Sequence, residues 1–134
     1  MTRSEIREQG IICVYQTLVL KNDIYESINN NIEDDKVKKD IFFLNITANL
    51  FDHLQYLTGI IEDKLEDWSF DRLGYVEQAI LLVGVAELLS EDADKAVIID
   101  EAVKYSKKYA GYDSYKIING VLDRVWVKNG QLNH

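Results

Sequence analysis

Residues 79–86 read Ala-Ile-Leu-Leu-Val-Gly-Val-Ala, so a helix wound from them carries no polar side chain on any face. A helix that is apolar all round must be buried on all sides. Other elements therefore have to wrap around it. The chain has no proline and only seven glycines, so few residues break helices and most of those elements should be helical. There is no strictly alternating run and no hairpin dipeptide between β-branched stretches. The predicted fold class is all-α: a compact helical bundle, with residues 1–134 forming a single domain. An apolar content of 47% is enough for a continuous core.

Local signals divide the chain. Thr2 and Glu5 have capping-box spacing and predict a first helix to about Leu20, with Ile11, Ile12, Tyr15, Leu18 and Val19 on its apolar face. Ile24, Ile28 and Ile32 predict a short second helix. Asp34-Asp35 is expected to cap a long third helix with the stripe Val37, Ile41, Leu44, Ala48, Phe51 and Leu54, followed by a break at Gly59. Ser69 is the expected N-cap of the central helix. Gly84 within that helix costs roughly 1 kcal/mol relative to alanine, so a close helix neighbour should compensate. After an acidic loop at 91–94, a helix from about Lys95 should stop at Gly111, and Asp113 or Ser114 should begin the last one. Its inward positions are Ile117, Ile118, Val121, Leu122 and Val125, and Gly120 suggests another tight crossing. The tail after Val127 is expected to fray.

Charge and side-chain chemistry narrow the function. With 23 acids against 15 bases the formal net charge is −8, which disfavours a nonspecific DNA coater and suits either a basic partner or simple solubility. Only Cys13 could react as a thiol, and it sits at the apolar face of the first helix, where thiols are normally inert. The two histidines, His53 and His134, lack metal-ligand spacing, and no phosphate-cradling glycine loop is present. No enzyme and no cofactor is expected. A lone cysteine fits a reducing compartment. No apolar run approaches the ~20 residues of a membrane span, and the charged N-terminus is not followed by a signal-peptide core. A cytoplasmic protein without membrane contact is the expectation.

Against the acidic bulk, residues 104–116 are locally cationic. Lys104, Lys107, Lys108 and Lys116 face Asp113, with Tyr105, Tyr109, Tyr112 and Tyr115 interleaved. Cations that hold phosphates beside rings that stack bases are what single-stranded RNA recognition uses. The plainer alternative is a solvated lysine face with tyrosines closing the core edge. Arg3 and Arg7 share a face of the first helix, although Glu5 and Glu8 nearly cancel them. Glu77 and Glu87 bracket the apolar run; Glu87 fits an internal hydrogen bond, and Glu77 lies nearer the surface.

The stretches WSFDRLGYVEQAILLVGVAELL (68–89) and VIIDEAVKYSKKYAGYDSYKIINGVLDRV (97–125) resemble the NusB family of bacterial transcription antitermination proteins. The matching residues are Arg72-Leu73, Glu77, Ala79-Ile80-Leu81, Glu87-Leu88, Asp100-Glu101-Ala102-Val103 and Asn119-Gly120-Val121-Leu122-Asp123. The resemblance implies about seven helices in two packed three-helix subdomains and no catalysis. It implies pairing with the ribosomal protein NusE, joint binding of boxA-containing single-stranded RNA in nascent ribosomal RNA transcripts, and entry into an RNA polymerase antitermination complex. It also admits a homodimer built on the partner surface. The family's RNA surface maps onto Arg3, Arg7, Asp113, Lys116 and Ile117, and its NusE surface onto Tyr15 and Glu77. Lys104, Lys107 and Lys108 join the RNA surface from the charge pattern alone. The chain departs from the family at Ser4-Glu5-Ile6, where arginines are usual, and at Ile117, where an aromatic residue is common. Weak RNA binding by the chain alone is the expectation. The alternatives are a helical protein-protein interaction module that binds no RNA, or a relative of the NusB-like domain found ahead of ribosomal RNA cytosine methyltransferases.

Overall fold

The computed structural model describes residues 1–90, 93–111 and 113–125, together with the backbone of 127–128 and 131–132. Glu91 and Asp92 of the expected acidic loop lie outside the described residues. Helix α1 spans Arg3–Leu20, and its start is the predicted capping box: Thr2 Oγ1 accepts from Glu5 N at 3.1 Å while Glu5 Oε1 accepts from Thr2 N at 2.9 Å. Lys21, at φ 55°, ends it in the left-handed region. Helix α2 (Ile24–Asn31) is capped by Asp23.

The long third helix does not form. In its place stand α3 (Asp35–Lys38), α4 (Ile41–Asn45) and α5 (Ala48–Asp52). The cause is local competition for the backbone by short polar side chains. Asp40 accepts from Phe43 N at 2.9 Å and starts a new helix, and Thr47 Oγ1 donates back to Phe43 O at 2.7 Å. Each break turns the apolar face. Phe43, Ile46 and Leu50 are buried alongside Val37 and Ala48, whereas Ile41, expected in the stripe, is 76% exposed.

Helix α6 (Leu54–Lys64) runs through Gly59 without a break. Ser69 precedes only a 3-10 turn, Phe70–Arg72. The central helix α7 (Tyr75–Leu88) begins at Gly74, where Glu77 Oε1 accepts from Gly74 N at 2.9 Å. Gln78 Nε2, itself buried, holds the 3-10 turn by donating to Phe70 O and Leu73 O. Ala79 to Val85 are all buried, and α7 packs against α1, α5 and α6. It also packs against α8 (Lys95–Tyr109) and α9 (Ser114–Arg124), which pair with each other.

The fold is all-α, in two packed halves that share α1. Ile11 and Val14 of α1 join the main core with α6 to α9, and Cys13 joins a smaller cluster with Ile24, Ile28, Ile32, Val37, Phe43 and Ala48. Val14 and Cys13 thus take the inward places expected for Ile12 and Val19. Burial pushes the Cys13 thiol up to about 12, which keeps it protonated. No helix among the described residues is long and apolar enough to cross a membrane.

Two glycines are contact sites. A Cβ on Gly84 would lie 3.1 Å from Leu122, so α9 approaches α7 as the sequence suggests. A Cβ on Gly10 would lie 2.5 Å from Ile46 Cδ1, a crossing that no local sequence signal marks. Gly120 marks no such crossing, since its nearest neighbour is the Arg124 guanidinium of its own helix. Gly10→Val is expected to destabilise the protein by roughly 1–3 kcal/mol through overpacking at the buried Ile46. A thermal melt coinciding with that of the parent protein would contradict this.

The tail also departs from expectation. Val127–Lys128 (β1) pairs antiparallel with Gln131–Leu132 (β2), Val127 opposite Leu132. Asn129-Gly130, between them in sequence, is a dipeptide that favours a two-residue hairpin, although no long β-branched run flanks it.

Candidate nucleic-acid interface

The N-terminal turns of α1 lie on the second half of α8. Tyr105, 1% exposed, is the anchor: its hydroxyl donates to Ser4 O at 2.8 Å. It is a core residue, and its ring is not available to stack a base. Beside it Lys104 Nζ donates to Ser4 Oγ at 3.1 Å and pairs with Glu101 at 2.5 Å. One turn along, Lys108 Nζ donates to Glu8 Oε2 at 2.6 Å, and the Tyr109 hydroxyl donates to the same oxygen.

These bonds set the protonation behaviour. Hydrogen bonds from Lys108 and Tyr109 hold the Glu8 carboxyl below its usual range, and Glu8 in return raises both partners. Burial of Glu101 favours its neutral form, but hydrogen bonds from Lys104 and Ser4 outweigh it and the carboxyl is lowered. Lys104 is raised, chiefly by Glu101.

The cationic surplus read from the sequence is therefore smaller in space. Four lysines against Asp113 left three positive charges; Glu8 and Glu101, in direct contact with them, reduce this to one. Glu101 could be read from its i,i+3 spacing to Lys104. Glu8 could not, because its partners lie 100 and 101 residues away.

Arg7 requires a correction. Expected on the RNA surface, it is only 5% exposed. Its Nε and Nη2 donate to the two carboxylate oxygens of buried Glu87, and Nη1 donates to Glu101 at 2.8 Å. Burial alone would lower the guanidinium pKa, but the hydrogen bond and charge of Glu87 and the charge of Glu101 raise it. A guanidinium bound by two carboxylates inside the protein joins α1, α7 and α8 and is held away from the surface. Glu87 makes the internal bond expected of it.

The remaining candidates stay at the surface. Arg3 is exposed, 4.5 Å above the Phe42 ring, at the edge of a cavity of about 330 Å³ that Asp40, Asn45 and Ser90 also line. Lys107 stands 4.7 Å from the Tyr115 ring and so links α8 to α9. Lys116 and Asp113, both exposed, are 3.5 Å apart. Ile117 is half-buried and lines a cavity of about 210 Å³ with Trp68, Leu65 and Arg124. Tyr112, a candidate stacking residue, lies outside the described residues. The corner thus gathers Ser4, Glu8, Lys104, Lys108 and Tyr109, with Lys107 leading to α9. Tyr15 and Glu77 lie apart from it: Tyr15 is half-buried about two turns farther along α1, and Glu77 sits at the start of α7.

Comparison with known proteins shows the family. A model described as the NusB family matches residues 4–126. The transcription antitermination protein NusB of a Nitratiruptor species is 37% identical over 133 residues, covering 96% of each chain. Among solved structures, T. maritima NusB matches with a TM-score of 0.83 at 29% identity, covering 92% of this chain and 89% of that one. A chain from the crystal structure of antitermination factors NusB and NusE in complex with double-stranded RNA matches with a TM-score of 0.71 at 29% identity, covering 92% and 96%. The family match spans nearly the whole chain and the fold agrees with these solved structures, so the chain belongs to the NusB family.

Proposed function

We propose that this chain is a transcription antitermination factor that pairs with NusE and, together with it, holds boxA-containing RNA of nascent ribosomal RNA transcripts within an RNA polymerase antitermination complex. The observation that carries this reading is the fold match, over 92% of the chain, to a protein crystallised with both NusE and RNA. The protein acts in the cytoplasm, as one NusB-like domain, by binding alone; no step of covalent chemistry is assigned to it.

Electrostatics supports the division of labour. A chain of net charge −8 attracts a basic ribosomal protein at long range, and that attraction weakens with salt. Tyr15 and Glu77 form the NusE surface in this reading. The RNA surface comprises Arg3, Lys107, Lys116, Asp113 and Ile117, with Lys104 and Lys108 reached only after they exchange their carboxylate partners. Since one net positive charge remains at the corner, the chain alone binds RNA weakly and NusE supplies further cations.

Fluorescence anisotropy of labelled boxA RNA, single-stranded and as a duplex, tests the reading with and without NusE. The expected result is weak binding by the chain alone and much tighter, salt-sensitive binding by the pair. Normal NusE pairing by calorimetry with no RNA binding in either case would instead identify a protein-only interaction module.

A further inference from the structure

Lys108 and Tyr109 are the two groups at the corner best suited to a transcript. The Lys108 side chain is 55% exposed, and its Nζ lies 5.0 Å from the centre of the ring of Tyr109, a residue that is itself 41% exposed. An ammonium for phosphate beside a ring for a base is the usual pairing in single-strand recognition. Both are engaged by a single carboxylate, that of Glu8.

We propose that Glu8 limits the RNA affinity of this surface: its carboxylate occupies Lys108 Nζ and the Tyr109 hydroxyl, and RNA binds there by exchanging a phosphate for that carboxylate. This rests on the function proposed above and assigns a role to a residue outside the surface named there. The neighbouring pair differs in kind. Glu101 holds Lys104 but also neutralises buried Arg7, so removing it would leave a buried cation short of a partner. Glu8, its side chain 23% exposed, is bound to groups that are themselves exposed, and an ion pair open to solvent on one side contributes less to stability than a buried one and is screened by salt. It therefore attenuates binding without blocking it, and the pairing it breaks costs the fold little.

Glu8→Gln tests this, because the amide can still accept from Lys108 and Tyr109 while carrying no charge. In the complex with NusE, its dissociation constant for single-stranded boxA RNA is expected to fall roughly threefold, the scale of one exposed ion pair. The slope of log affinity against log salt should steepen by at most about 0.7, the value for one full phosphate contact on a single strand, because the parent protein already makes that contact in part of its complexes. The gain should vanish in Glu8→Gln combined with Lys108→Gln. Unchanged affinity and slope in Glu8→Gln, beside a parent protein that binds RNA, would overturn this inference and leave the proposed function standing. A gain that persists in the double variant would also overturn it, since bulk charge would then be the cause. No RNA binding by the parent protein with NusE would overturn both.

Discussion

Leu81→Asp is expected to abolish the cooperative unfolding transition. Leu81 is fully buried in the middle of α7, the helix that packs against α1, α5, α6, α8 and α9. Losing a buried leucine costs about 2–5 kcal/mol through lost burial and an unfilled cavity. The new carboxylate adds several kcal/mol more, because it has neither water nor a cation within the core. Together these approach the 5–15 kcal/mol that holds a typical domain folded, at roughly 25 °C. Far-ultraviolet circular dichroism through a thermal ramp measures the outcome. Leu81→Met is the control, since a shape-tolerant swap of similar volume costs less than about 1.5 kcal/mol. A sharp transition in Leu81→Asp within about 5 °C of the parent protein would show that α7 is not the centre of the core.

That centre was legible in the sequence because its signal is not directional. A run apolar on every face demands burial whatever surrounds it, so 79–86 could be placed without knowing its neighbours. The third helix is not legible, for the opposite reason. Its stripe assumed one uninterrupted period, and two short polar side chains, Asp40 and Thr47, reset the phase by bonding to nearby backbone. Residues 104–116 show the same limit in electrostatics. The lysines are in the sequence for anyone to count, but the carboxylate that neutralises Lys108 arrives from α1, a hundred positions away. Local pattern gives the composition of a surface, while its field depends on what the fold places opposite.

Arg7→Ala separates a structural role for this residue from a binding one. The guanidinium spans Glu87 on α7 and Glu101 on α8, and both Arg7 and Glu87 are almost wholly buried. Removing one member of a buried ion pair costs about 3–5 kcal/mol, mostly because the other charge is left in the interior uncompensated. For a chain of this size a loss of that order lowers the melting temperature by about 10 °C or more. The double replacement Arg7→Met with Glu87→Met should recover most of the loss, since apolar side chains of similar volume often serve as well as a buried pair. The cycle of single and double variants reports the coupling directly. If the recovered double variant also keeps its RNA affinity in the complex with NusE, Arg7 acts by holding α1 in place, so that Ser4 and Glu8 meet α8. An Arg7→Ala protein that melts like its parent yet loses RNA binding would return Arg7 to the RNA surface, and would mean that the buried triad does not hold the three helices together.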